Sequence, residues 1–418
     1  MRAICALLVA AAALAGTTPA QAAPQRPGLD GAASGILIDA SDGSVILGKR
    51  PDERRSMAST TKLMTALLTL EGSKPSEVFT AADYKAAPIE SKISLRPGER
   101  MTVGDLFEGM MLESANDAAI TLAEGVAGSE TAFVAKMNAR ARQLGLKNTA
   151  YTNPIGLDQG RNYSSARDLA TLARRDLRDP RFAKVVDQSS AVLESGARRR
   201  TVNNRNDLVG RYPYVKGVKT GHTRKAGYVL VGAATSAAGA KVISVVMGEP
   251  SEAARDADSL ALLQYGLSRF ERRKVLDADR PVASASIEHR DGQAKLAPAH
   301  DLLLLTRRGD RVRRRVDAPG RLGKTAAGTR VGTIAVIRGG KVVKRVPLVT
   351  VAAVPGAGLL RVIGDALGGL GTVVLLLVVV CAMLVALGRT RRRRRRREET
   401  ERRRARKRAR AHAESQIE

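Results

Sequence analysis

Two short β-rich runs, Gly35–Ile38 and Val45–Leu47, flank the turn-forming Ser41-Asp42-Gly43, a pattern that predicts an N-terminal hairpin. From Ser59 the period changes. Leu63, Met64, Leu67, Leu68 and Leu70, with Ala66 between them, predict a helix apolar on nearly every side and therefore buried in a core. Amphipathic segments over Val103–Leu112, Ala115–Glu124, Glu130–Leu144 and Ala166–Leu177 predict a helical block. The β signal returns at Gly217–Thr220, Tyr228–Ala234 and Lys241–Met247, and the stripe Leu260, Leu263, Leu267 and Phe270 predicts a closing helix. Strands, a helical insertion, then strands and a helix give an α+β domain over residues 31–272.

Residues 275–355 carry shorter runs. Val331–Ile337 faces Lys341–Val351 across Arg338-Gly339-Gly340, which predicts a small β-rich second domain, and no constellation within it is catalytic. At the N-terminus, Arg2, the apolar run Ile4–Ala15 and the small residues around Ala20-Gln21-Ala22 predict a signal peptide over residues 1–22. Near the other end, residues 366–388 carry no charge, and that length crosses a ~30 Å hydrocarbon layer as a helix. Residues 389–418 form a basic tail with 15 basic and 5 acidic residues, a net +10. The positive-inside rule then predicts a single-pass cell-membrane protein, its catalytic domain extracytoplasmic and its C-terminus cytoplasmic. Gly364-x-x-x-Gly368 offers a candidate contact between membrane helices.

The 418 residues carry 70 Lys+Arg against 41 Asp+Glu, a net +29, with no Trp and two Cys. Cys5 and Cys381 lie in the two apolar end segments, so the region between them has no thiol for a disulfide, redox or nucleophilic chemistry. His222, His289, His300 and His412 are scattered without metal-ligand spacing, so neither a metal nor a cofactor is expected. The tail has no Phe, Tyr or Trp to stack on bases. Anionic lipids are therefore its expected partner, and nucleic acid is not. The remaining +19 predicts salt-sensitive contact with anionic wall polymers or headgroups.

Three short motifs stand in order: Ser59-Thr60-Thr61-Lys62, Ser114-Ala115-Asn116 and Lys219-Thr220-Gly221. Lys62 lies one helical turn from Ser59 on the same face, so its amine can approach the hydroxyl. A lysine in a dry interior near a second cation, Lys219, loses proton affinity and can serve as a base that activates Ser59 as a nucleophile. Ser114 can relay a proton to a leaving amine and Asn116 can hold a substrate carbonyl. Lys219 with Thr220 can bind a terminal carboxylate, and Gly221 allows a close approach of substrate backbone. The backbone N–H groups of Ser59 and His222 are candidates for an oxyanion hole. Each motif also has a plainer reading: a capping Ser before a solvated Lys, an N-cap before Asp117, and an ordinary edge-strand lysine.

Together the motifs resemble the penicillin-recognising serine enzymes, whose signature set is Ser-x-x-Lys, Ser-x-Asn and Lys-Thr-Gly. The likeness is nearest to the D-alanyl-D-alanine carboxypeptidases, the low-molecular-weight penicillin-binding proteins of peptidase family S11. It covers Ala33 to about Phe270 and includes Gly156-Leu157-Asp158, Tyr163 to Asp168, Asn204-Arg205-Asn206 and Lys219 to Thr223. The resemblance implies a serine β-lactamase/penicillin-binding-protein-like catalytic domain, an antiparallel sheet with helices and a helical subdomain. It gives Ser59 the acyl-ester, Lys62 its proton, Ser114 an assisting role and Lys219 substrate binding, with Arg205 on the carboxylate of the terminal D-alanine. It implies peptidoglycan stem peptides as substrates and β-lactams as covalent inhibitors.

Some features depart from the family. Ala115 stands where Gly is frequent, a change that a negative φ tolerates. No Glu-x-x-Leu-Asn follows Ser114, so efficient β-lactam hydrolysis is not expected, and Ser165-x-x-Asp168 reads as a capping box rather than a substitute carboxylate. Some relatives lie on the membrane through an amphipathic helix, whereas this chain predicts a spanning one. The expected activity is removal of the terminal D-alanine from stem pentapeptides. The alternatives are a DD-endopeptidase or transpeptidase with the same residues, a membrane-anchored β-lactam sensor, and a non-catalytic wall-binding protein.

Overall fold

The computed structural model describes residues 25–414, so the predicted signal peptide and Cys5 lie outside the described residues. The chain divides into two units, one ending at Arg272 and taking back Leu305–Arg308, the other holding Arg273–Leu304 and everything from Gly309.

In the first unit, β1 (Ser34–Asp39) and β2 (Val45–Lys49) form the N-terminal hairpin. A 3-10 turn at Ala58–Thr61 leads into α1 (Lys62–Gly72). The helical block follows as α2 (Val103–Leu112), α3 (Asn116–Ala127), α4 (Glu130–Gln143), α5 (Ala166–Asp176) and α6 (Pro180–Val186). The chain then returns through β3 (Val215–Thr223), β4 (Gly227–Thr235) and β5 (Lys241–Glu249) and closes with α7 (Glu252–Ser268). The five strands make one antiparallel sheet in the order β2-β1-β5-β4-β3, with β3 at an edge.

Strand alternation feeds two cores. Val229, Val231, Ile243 and Val245 pack with the helical block, and Leu230, Val242 and Val246 pack with Leu262 and Leu263 of α7. Strands covered on both faces need apolar residues at every position, which is why they read as continuous runs. Helix α1 is buried from Lys62 through Thr69. Burying each large side chain such as Leu63 or Met64 contributes about 1.5–3 kcal/mol. The strands extend by one to three residues beyond the apolar runs. Phe270 begins the strand Phe270–Leu276 instead of ending the helix, because α7 stops at its cap, Arg269. Helix α6 escapes the apolar pattern because it is short; Asp179 caps its N-terminus and Pro180 opens it.

The second unit is a six-stranded sheet of β6 (Ala283–Ile287), β7 (Gln293–Pro298), β8 (Val312–Asp317), β9 (Arg321–Leu322), β10 (Arg330–Arg338) and β11 (Lys341–Thr350). Their order is β8-β10-β11-β7-β6-β9, around a core that includes Leu296, Ile334, Val336, Val346 and Leu348. The β10–β11 hairpin pairs Arg338 with Lys341, and both turn glycines, Gly339 and Gly340, have positive φ, which a two-residue hairpin turn demands.

Helix α8 (Leu359–Glu414) carries the uncharged stretch, and its Gly368–Lys407 part is long and apolar enough to cross a membrane. The helix runs on through the basic tail to Glu414, and Gly368 interrupts it at φ 69°, where a continuous helical contact was expected.

Candidate active site

Ser59 sits in the 3-10 turn just before α1, with Ala58 at φ 47° preceding it. Two glycines press on this turn. A Cβ on Gly156 would lie 1.9 Å from the Ala58 carbonyl oxygen, and one on Gly221 would lie 3.0 Å from the Ser59 nitrogen. Gly221 therefore gives close approach to the backbone of Ser59 itself, where substrate backbone was expected. The residue that caps α1 is Thr61, without a side-chain cap bond, so Ser59 is not a helix cap.

Lys62 is wholly buried, and the solvated lysine of the plainer reading is excluded. Its Nζ lies 3.1 Å from Ser59 Oγ, 2.6 Å from Asn116 Oδ1 and 2.8 Å from the Ile155 carbonyl oxygen. Burial, and then the charge of Lys219, hold this amine well below its ordinary proton affinity against the opposing pull of Glu90 and Asp117. A neutral amine has two N–H groups and one lone pair. The amide and peptide oxygens can only accept and take both hydrogens, so the lone pair is left for the Ser59 hydroxyl.

Ser114 joins α2 to α3 and is buried at φ 64°, a conformation that costs a non-glycine residue about 1–2 kcal/mol. It is not the cap of α3. That position is Ala115, at φ −61°, so the departure from Gly is sterically free. Asn116 opens α3 and donates from Nδ2 to Glu90 Oε2 at 2.6 Å, while Tyr84 Oη donates to the same oxygen at 2.5 Å. Burial by itself would raise the Glu90 carboxyl; the hydrogen bonds from Tyr84, Asn116 and the Ala87 N–H, and the charge of Lys62, outweigh it and hold it below its ordinary value. Asp117 accepts from the Ile93 and Leu95 N–H groups, and the Ser91 carbonyl accepts from the Asn116 N–H, which fastens the 90–95 segment against α3.

Lys219 lies in the middle of β3 and is buried; Thr220 beside it is also buried. Burial, then the charges of Arg205 and Arg255, push the Lys219 amine down to about 7, with Glu113 opposing. His222, farther along the strand, is exposed and stacks on Tyr228 at 4.1 Å between centroids. A cleft of about 520 Å³ is lined by Ser59, Glu90, Asn116, Gly156, Asp158 and His222, among others.

The structure thus joins Ser59, Lys62 and Asn116 by direct hydrogen bonds and sets His222 on the same cleft. Arg205 is not part of the cleft lining. It is exposed and paired with Glu113, and its charge reaches Lys219. Glu90, Tyr84 and Arg255 were not found from the sequence. Glu90 and Tyr84 lie in an irregular segment with no hydrophobic period, and Arg255 opens a helix where an exposed arginine is ordinary. Arg255 is nevertheless buried. Ser165 does cap α5, but the Asp168 carboxylate accepts from Asn148 N–H and Thr149 Oγ1, so the reciprocal half of the capping box is absent.

The sequence model described as D-alanyl-D-alanine carboxypeptidase, peptidase family S11, matches residues 20–251. The chain belongs to this family. It is therefore a serine peptidase, a hydrolase of the penicillin-binding-protein class. D-alanyl-D-alanine carboxypeptidase DacF of Bacillus subtilis is 32% identical over 80% of this chain and 90% of its own length. DacA of Escherichia coli is 36% identical over 68% of this chain and 73% of its own. Among solved structures, penicillin-binding protein 5 of Haemophilus influenzae aligns at a TM-score of 0.57 and 30% identity, covering 80% of this chain and 99% of that one. The DD-transpeptidase of Streptomyces K15 aligns at 0.54 and 33% identity, covering 57% and 97%. The S11 domain of this chain has the α+β penicillin-binding-protein fold expected from its motifs.

Proposed function

We propose that this member removes the terminal D-alanine from peptidoglycan stem pentapeptides through an acyl-enzyme on Ser59. The observation that carries the reading is the buried, proton-poor Lys62 amine 3.1 Å from Ser59 Oγ, with its other two contacts limited to oxygens that only accept. Ser59 gives its proton to Lys62 as Oγ attacks the carbonyl carbon of the penultimate D-alanine. The C–N bond then breaks. The Lys62 ammonium returns the proton, by way of the Ser114 hydroxyl, to the departing amine of D-alanine. Water attacks the ester, Lys62 takes a proton from it, and Ser59 leaves with that proton as the shortened peptide is released.

Substrate placement follows from β3. Among the described residues it pairs only with β4, so its outer edge offers unpaired backbone groups to an extended peptide. The charges of Arg205 and Arg255 act on Lys219, and this group of cations suits a terminal carboxylate. Ser59 is the second residue of its turn, so its N–H precedes any intrahelical partner, and with the His222 N–H it is the oxyanion donor in this reading.

The chain is anchored by α8 in the cytoplasmic membrane, with the arginine-rich end inside against anionic headgroups, and β-lactams acylate the same serine. Incubation of the full chain in detergent with a stem pentapeptide tests the activity. D-alanine release by wild type and none by Ser59→Ala is expected; release without acylation of Ser59 sinks the reading. Transfer of the acyl group to an added peptide amine in preference to water would make the protein a transpeptidase.

A further inference from the structure

Arg313 and Arg315 stand at alternate positions and share one face of β8, and Arg311 immediately precedes the strand. Its other face carries Val312 and Val316, which pack against the core that includes Ile334 and Val336, with the exposed Arg314 between them. The arginine face is thus the outer face of the sheet. Register sets Arg315 opposite Ala335 on β10, and Ala335 opposite Arg345 on β11. The two guanidinium-bearing side chains straddle the smallest side chain in the row. They wall a groove of about 460 Å³ whose remaining lining is Val316, Asp317, Thr333 and Ala335. Arg311, Arg313, Arg315 and Arg345 are exposed and have no ion pair among the described residues.

Arginines on an edge strand ordinarily serve to discourage edge pairing. Arg345 also lies on a stretch of β11 that β7 no longer pairs, so edge protection accounts for these charges but not for their convergence on one groove. Two guanidinium groups without ion pairs among the described residues, Arg315 and Arg345, wall one notch that also holds the Asp317 carboxylate, and their convergence there needs another account. Arginine forks match phosphate oxygens in geometry and charge. Alternate residues on a strand are separated by about 6.8 Å, a spacing comparable with successive phosphates on an extended phosphodiester chain.

We propose that this outer face is a binding site for the phosphate groups of a linear polyanion, seated between Arg315 and Arg345 and continuing along Arg313 and Arg311. Strand direction favours a polymer over a lipid surface. Thr350 is the end of β11 that leads to α8, and Arg345 lies five residues before it, about 17 Å along the strand. Because β8 runs parallel to β11 across β10, Arg313 and Arg311 lie farther still from that end. The array therefore leads away from the membrane-spanning helix.

The test uses the full chain in zwitterionic nanodiscs and fluorescent inorganic polyphosphate as the probe, read by anisotropy over a salt series. Arg315→Gln/Arg345→Gln is expected to weaken binding at least about tenfold and flatten the salt dependence by roughly one to two phosphate contacts. Arg391→Gln/Arg393→Gln, which removes the same charge from the tail, is expected to change it by less than about twofold. Equal losses in the two double variants overturn the site. So does displacement by orthophosphate at equal phosphate concentration, which marks a single-anion site, or by phosphatidylglycerol vesicles, which marks a lipid site. Unchanged penicillin labelling of Ser59 together with an unchanged protease-resistance pattern of the second unit checks that the variants fold. If the first does not, Arg311→Gln/Arg313→Gln must show the same loss.

Discussion

Asn116 turns its side-chain oxygen toward Lys62 at 2.6 Å because its nitrogen is committed to Glu90, also at 2.6 Å. A carboxylate accepts and cannot donate, so Glu90 fixes which end of the amide faces the lysine. That choice occupies a Lys62 hydrogen and directs the lone pair to Ser59. In the proposed mechanism Glu90 is thus a positioning residue one step from the base that serves Ser59.

Replacing Glu90 by Ala should free the amide and lower kcat/KM by about 10- to 100-fold. The pH profile separates this from a general loss of structure. The Glu90 charge raises the proton affinity of Lys62, so its removal should move the acid limb to lower pH. An acid limb that stays in place would argue against the coupling.

The two buried lysines predict a bell-shaped dependence of kcat/KM on pH. Activity rises as Lys62 loses its proton, because only the neutral amine accepts from Ser59. It falls as Lys219, whose amine is pushed down to about 7 in the free enzyme, loses the charge that meets the substrate carboxylate. The alkaline limb should therefore lie below the ordinary lysine value. Lys219→Arg, which does not titrate in this range, should abolish that limb even where it lowers the maximum. Retention of the limb in that variant would exclude Lys219 as its source.

Gly156→Ala should damage the site more than Gly221→Ala. The first puts a methyl 1.9 Å from the Ala58 oxygen at a residue with φ 95°, and the second makes a 3.0 Å contact with the Ser59 nitrogen. Displacing the nucleophile by even about 1 Å costs on the order of 100-fold. Penicillin acylation rates measure this directly, and a near-wild-type rate for Gly156→Ala would mean that the turn tolerates movement.

Asp176 is buried at the end of α5, and neither carboxylate oxygen meets a protein donor. Burial raises its carboxyl well above the ordinary value, an effect that the charge of Arg175 opposes. With the folded value above the unfolded one, its contribution to stability is full below the unfolded value and is lost as pH rises through the folded value. Asp176→Asn does not titrate. It should stabilise the protein at neutral pH by about 1–2 kcal/mol, with the gain shrinking on acidification. Thermal unfolding at several pH values checks this; a gain independent of pH would point to packing instead.

Ending the chain before Gly368 should move the protein from the membrane to the soluble fraction with penicillin labelling of Ser59 intact. Continued membrane retention would place the anchor elsewhere.

Ser59, Lys62, Ser114, Asn116 and Lys219 were legible as candidates because three local motifs carry them, and the strands and long helices because burial imposes a period on apolar residues. Glu90 and Tyr84 were not, since an irregular segment reveals nothing of what it folds against. Arg205 was legible as a cation but not as the partner of Glu113. The two glycines of the site could be seen as motif residues, while the surface each one meets could not.

Sequence by itself determined the order of strands and helices, a stretch long and apolar enough to cross a membrane, and the candidates for the reacting groups. These depend on residue type and spacing along the chain. Tertiary structure alone decided that Lys62 is dry, that the Asn116 amide faces it with oxygen, and that Arg255 is buried within reach of Lys219. Solvation and hydrogen-bond direction are properties of a site closed by segments far apart in the chain.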